Sequence, residues 1–237
     1  NSPIGEKLSV IFLLPVIFAM LSVIPIYLII RKFSNDLFAF IGSMMLVSVG
    51  TFVSRTVAGF VDTDAYNVFF PLAVIAFLLY GFTAKSNVMK IILSALAGLF
   101  MGLFMWTWGS GWFIFIFALF ALLGYIAYLL LNKAITKSKK DKTTKNILFN
   151  DILVSAIFVV VSLVSTYLII GQNIFVKAYN GVIGGVTSIA SISHGRIWPN
   201  VFSSVAELNE ASFNKVVSSV GGGLVFFIAL IALVLLA

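Results

Sequence analysis

The chain has no cysteine, which excludes disulfides and thiolate metal sites. It has a single histidine, His194, so a metal site built from several imidazoles of this chain is ruled out. Charge is scarce too: Asp, Glu, Lys and Arg make up 10% of the residues, where soluble domains carry about a quarter. Apolar side chains take their place, at 61% hydrophobic residues and a mean hydropathy of +1.15. That balance specifies an integral membrane protein with several spans of about 20 residues each. No nucleic-acid partner is expected. The first residues, Asn1-Ser2-Pro3-Ile4-Gly5-Glu6-Lys7, include no initiator Met and no basic segment leading into a short apolar stretch and cleavage site. The last residues lie inside an apolar run. Both ends are expected to be cuts from something longer.

Continuous apolar runs, rather than alternating ones, favour an all-α polytopic helical bundle over a barrel. Seven candidate spans follow, at roughly 8–30, 37–57, 68–82, 91–106, 112–131, 152–170 and 220–237. Pro15 and Pro25 are expected to kink the first. The third is short and is expected to extend into Tyr66-Asn67. Gly98 and Gly102 form a Gly-x-x-x-Gly pair that suits close helix packing within the bundle.

Basic residues orient the bundle. One set of loops carries Arg31, Lys32, Lys85, Lys90, Lys133, Lys137, Lys139, Lys140, Lys142 and Lys145. The other carries Lys7, Arg55, Lys177, Arg196 and Lys215. The first set is therefore read as cytoplasmic, and a multi-pass cell (plasma) membrane protein is expected. Asp62, Asp64, the Trp106–Trp112 turn and the long stretch 171–219 then fall outside. Long external loops of this kind are commonly functional.

Two carboxylates one residue apart, Asp62-Thr63-Asp64, lie where one apolar run meets water and the next begins. Hard oxygen ligands at that spacing suit Mg²⁺ or Mn²⁺ and pyrophosphate. The plainer reading is a pair of solvated loop acids. The external loop supplies a third acid, Glu207, on the same side of the membrane. Together these residues point to an external, acidic, metal-dependent site over a helical bundle.

Four sequence pieces carry a family resemblance. Ser54-Arg55-Thr56-Val57-Ala58-Gly59 followed by Asp62-Thr63-Asp64 resembles the second Asp-x-Asp motif of the archaeal oligosaccharyltransferase catalytic subunit. Trp106-Thr107-Trp108-Gly109-Ser110-Gly111-Trp112 is similar to that family's Trp-Gly-Gly turn. Trp198-Pro199-Asn200-Val201 resembles the lead-in to its external catalytic loop, and Ser204-Val205-Ala206-Glu207 resembles its Thr-Ile-x-Glu motif. The resemblance covers most of the chain.

It implies a GT-C fold and transfer of an oligosaccharide from a dolichyl phosphate or diphosphate to Asn in Asn-x-Ser/Thr. It also implies a Mg²⁺ or Mn²⁺ cofactor. Asp62, Asp64 and Glu207 become the expected catalytic and metal-binding residues; Arg55, Arg196, Trp198 and Asn200 become expected substrate-binding residues. The implied partners are a lipid-linked oligosaccharide and an acceptor protein or peptide, with the active site external and the enzyme a single subunit. Arg55 could instead form a structural ion pair with Asp62 or Asp64, and Trp106, Trp108 and Trp112 fit an interfacial aromatic belt. The family's first Asp-x-Asp motif would precede Asn1, and its Trp-Trp-Asp-Tyr-Gly sequence would lie in a C-terminal globular domain beyond Ala237. The chain, residues 1–237, is thus expected to be a partial GT-C transmembrane domain, inactive alone. Two rivals are another polyprenyl-dependent GT-C glycosyltransferase, such as a protein O-mannosyltransferase, and a secondary transporter. A transporter would place acids near the midplane and repeat its halves, neither of which is seen in the sequence.

Overall fold

A computed structural model of the chain describes residues 3–60, 62–135, 142–181, 183, 212–219 and 221–236. The described residues are helical, with no strand among them. The first helix, α1 (Pro3–Phe33), runs through Pro15 and Pro25 without interruption. A short turn follows. Asn35 caps α2 by accepting from the Phe38 N–H at 3.1 Å, and Arg31 pairs with Asp36 at 2.7 Å.

The second apolar run is not one helix. It divides into α2 (Asp36–Ser48) and α3 (Gly50–Arg55), with Val49 extended between them at φ −69°, ψ 116°. Ser48 Oγ donates to the Met44 carbonyl at 2.7 Å, a local bond that competes with the helix ladder. Gly50 lowers helix propensity by about 1 kcal/mol relative to Ala. The remaining helices of the bundle are α4 (Asp64–Thr83), α5 (Asn87–Thr107), α6 (Trp112–Ile135) and α7 (Lys142–Ile170). Residues 174–181 form a short helical stretch, and the segments Phe213–Ser219 and Gly223–Leu236 complete the described chain.

Seven candidate spans were expected; among the described residues, five helices are long and apolar enough to cross a membrane: Ile11–Phe33 within α1, α4, α5, Trp112–Leu131 within α6, and Leu148–Ile170 within α7. A sixth exists only if Phe213–Ser219 and Gly223–Ala232, bent by 83°, count as one span. Gly221 and Gly222 make that bend at φ +105° and +93°, a region glycine enters without penalty.

The core lies between α4, α5 and α7, with α1 against α4. Phe70, Val74, Met101, Phe104, Phe115 and Phe158 are buried there. Gly98 and Gly102 do pack within the bundle. A Cβ on Gly98 would come within 2.7 Å of Val161 and 2.9 Å of the Phe158 carbonyl, and one on Gly102 would collide with Ser165. Ser165 Oγ then donates to the Gly98 carbonyl at 3.1 Å, which ties α5 to α7 through backbone as well as contact. At the far end of the bundle, Tyr125 on α6 donates to Asp151 on α7 at 3.1 Å. Lys90 is buried near that carboxylate. Lys90, expected in a loop, thus lies inside α5.

Candidate functional site

Thr56 ends α3 and is buried; its Oγ1 donates to the Phe52 carbonyl at 2.8 Å. The chain then turns tightly before α4. Phe60 N–H donates to the Val57 carbonyl at 3.1 Å, and Asp62 N–H donates to the Phe60 carbonyl at 3.0 Å. Asp62 is exposed, and its Oδ1 accepts from the Thr63 N–H at 2.6 Å. Asp64 is not a loop residue. It opens α4, where a carboxylate meets the positive end of the helix dipole.

Arg55 reaches across the turn. Its Nη1 lies 3.1 Å from Asp64 Oδ2, and its guanidinium sits 5.6 Å from the centre of the Phe60 ring. Half-exposed ion pairs of this kind contribute about 0.2–1 kcal/mol. The pair therefore does more to fix where two charges stand than to hold the fold together. Asn67 follows Asp64 by three residues, on the same face of α4. Its Oδ1 is buried without a hydrogen-bond partner. Arg55, Asp64 and Asn67 share a cavity of about 500 Å³ with Val49 and Phe52, so the break between α2 and α3 helps to line it. A second, almost wholly apolar cavity of about 620 Å³ lies between α1 and the α2–α3 segment. Phe52 and Thr56 line both cavities.

Of the residues expected from the sequence, the structure brings Arg55 and Asp64 together and places Asp62 beside them on the same turn. Glu207, Arg196, Trp198, Asn200 and His194 lie outside the described residues. Among the described residues no three His, Cys, Asp or Glu side chains come together. Asp62 and Asp64 thus supply hard oxygen donors, but fewer than the roughly six ligands that Mg²⁺ takes. The tryptophans part company: Trp106 is 67% exposed, whereas Trp112 is buried. The 174–181 stretch lies over Trp112, since a Cβ on Gly181 would come within 2.7 Å of its ring. Trp112 is therefore a packing residue and not part of an interfacial belt. Sequence reasoning missed Phe60 and Asn67. The three-residue step from Asp64 was the only local signal for Asn67, and Phe60 had none.

The family profile described as oligosaccharyl transferase STT3, N-terminal, matches residues 4–237. The chain belongs to the STT3 oligosaccharyl transferase family. A dolichyl-phosphooligosaccharide-protein glycotransferase of Methanococcus voltae is 25% identical over 238 residues, covering 94% of this chain and 26% of its own length. A second such protein, from Archaeoglobus fulgidus, is 28% identical over 142 residues, covering 52% of this chain and 16% of its own. An undecaprenyl-diphosphooligosaccharide–protein glycotransferase of Campylobacter jejuni is 25% identical over 104 residues, covering 44% of this chain and 14% of its own. The chain therefore spans about a quarter or less of the curated relatives it matches. No solved structure matches it. Within the STT3 family the chain supplies a multi-pass helical region, and its helices fit that role.

Proposed function

We propose that the chain is the amino-proximal membrane region of an oligosaccharyltransferase. The full-length protein moves an oligosaccharide from a dolichyl phosphate or diphosphate to the side-chain amide of Asn in Asn-x-Ser/Thr. One observation supports this beyond family membership. A cavity whose largely apolar wall carries Arg55, Asp64 and Asn67 lies beside a cavity lined by no charged side chain, and Phe52 and Thr56 form part of both walls. A donor with a charged phosphate head and an isoprenoid tail needs such a pair of neighbouring environments.

In the transfer, the bond from the anomeric carbon to phosphate oxygen breaks and a bond from that carbon to the amide nitrogen forms. The phosphate leaves with the electron pair, and the amide gives up one proton. Arg55 offers positive charge to the phosphate, held in place by Asp64 and Phe60. Asp62 is the more available carboxylate, because Asp64 already faces Arg55. With Asp64 and Glu207, Asp62 would hold a Mg²⁺ or Mn²⁺ ion, which supplies Lewis-acid stabilisation of the leaving phosphate. Carboxylates that accept from the amide N–H groups would weaken its conjugation and free the nitrogen lone pair. Arg196, Trp198 and Asn200 are assigned to substrate binding on the family resemblance. The site faces the outside of the cell membrane, and a single subunit carries the activity.

The test uses the full-length parent with a lipid-linked oligosaccharide and an Asn-x-Thr peptide, read by mass spectrometry. Glycan on the Asn side chain is expected. Glycan on Thr with none on Asn would contradict the proposal and favour an O-directed enzyme of the same fold.

A further inference from the structure

Gly59 is in the left-handed region at φ +88°, which residues with a Cβ adopt at a cost. Its N–H donates to the Phe12 carbonyl on α1 at 2.9 Å. The two residues are far apart in sequence, and this bond lies outside any helix ladder. The contact is close as well as directional. A Cβ on Gly59 would lie 2.5 Å from Phe12 Cε2 and 3.2 Å from Phe12 Cδ2 and Cζ. The turn thus rests against both the backbone and the ring of one residue, and only glycine meets both conditions.

What this contact fixes lies immediately downstream. Phe60 is the next residue, and its ring lies beside the Arg55 guanidinium. The Phe60 carbonyl accepts from Asp62 N–H at 3.0 Å, and Arg55 in turn holds Asp64. Phe12 therefore bounds, from a different helix, the turn that sets three charged groups.

We infer that Gly59 is a positioning residue: seated on Phe12, it sets the turn that carries Asp62 and aligns Arg55 with the start of α4. Its effect on transfer rests on the function proposed above; its effect on the turn does not. The two are separable by experiment. In a cysteine-free version of the full-length parent, nitroxide labels at Ala58→Cys, on the turn before α4, and Lys85→Cys, just past its end, bracket that helix. That helix of 20 residues is about 30 Å long, a span that electron spin resonance reads. Gly59→Asn tolerates positive φ but still carries a Cβ, so it isolates the contact with Phe12. Gly59→Asn is expected to broaden or shift the distance distribution, and Phe12→Ala added to it is expected to bring the distribution back toward the parent's. Glycan transfer per folded enzyme should follow the same pattern, falling about 10- to 100-fold in Gly59→Asn and recovering in the double variant. A parental distribution in Gly59→Asn overturns the inference, as does a shifted one that Phe12→Ala leaves unchanged. If the parent shows no glycan transfer, the proposed function fails and the distance measurement alone decides the role of Gly59.

Discussion

Arg55 shows how little energy an interaction needs to matter at a site. Its pair with Asp64 is partly solvated, with the two side chains 49% and 34% exposed, and such pairs contribute less than about 1 kcal/mol. Arg55→Gln should therefore leave the melting temperature of the detergent-solubilised parent within a few degrees. Glycan transfer should fall by about 10-fold or more, because the group offered to phosphate is lost and Asp64 is released. Unfolding at much lower temperature with unchanged transfer per folded molecule would make Arg55 a structural residue instead. Much of this neighbourhood was legible in the sequence. An Asp-x-Asp at a membrane boundary, led by an Arg, put Arg55, Asp62 and Asp64 forward as candidates, and the structure sets all three around one turn. The supporting contacts were not legible, because Phe12 to Gly59 and Arg55 to Phe60 depend on how the chain folds back. Asp64 looked like a loop acid because an Asp marks a helix start and a solvated turn equally well.

Among the elements, the α5–α7 seam carries the clearest energetic demand. Gly98 faces backbone atoms of α7 that have nowhere to move, while Gly124 on α6 has open space where a Cβ would go. Gly98→Leu should lower stability by about 1–3 kcal/mol or more through overpacking, and Gly124→Leu should be near neutral. Thermal unfolding of both variants in the same detergent checks this; equal melting temperatures would mean that the seam is not packed as described. Apolar runs made most spans legible, since about 20 such residues read as a membrane helix wherever they occur. The same signal concealed the breaks. Ser48-Val49-Gly50 sits within an apolar run, and mean hydropathy does not register a single extended residue at Val49. That break shapes the candidate site, because Val49 lines the cavity with Arg55 and Asp64.

For the whole molecule, the two ends of the bundle differ in content. One end carries the Asp62–Asp64 turn; the other carries Lys32 beside the Tyr80 ring and the Tyr125–Asp151 pair. The proposed orientation, drawn from the bias of Lys and Arg between loops, would put the acid-bearing end outside. With intact cells expressing the full-length parent, an impermeant maleimide should label Ala58→Cys and not Lys140→Cys; the reverse pattern would invert the orientation. The most direct measurement of function at this scale is transfer of a lipid-linked glycan to an Asn-x-Thr peptide by the parent and its Asp62→Ala and Asp64→Ala variants, with Mg²⁺ or Mn²⁺ titrated. Both variants should lose about 10²–10³-fold or more in rate, with a changed metal requirement strongest for Asp62→Ala. Near-parental rates with an unchanged metal requirement would contradict the site and leave Asp62 and Asp64 as solvated acids of a turn.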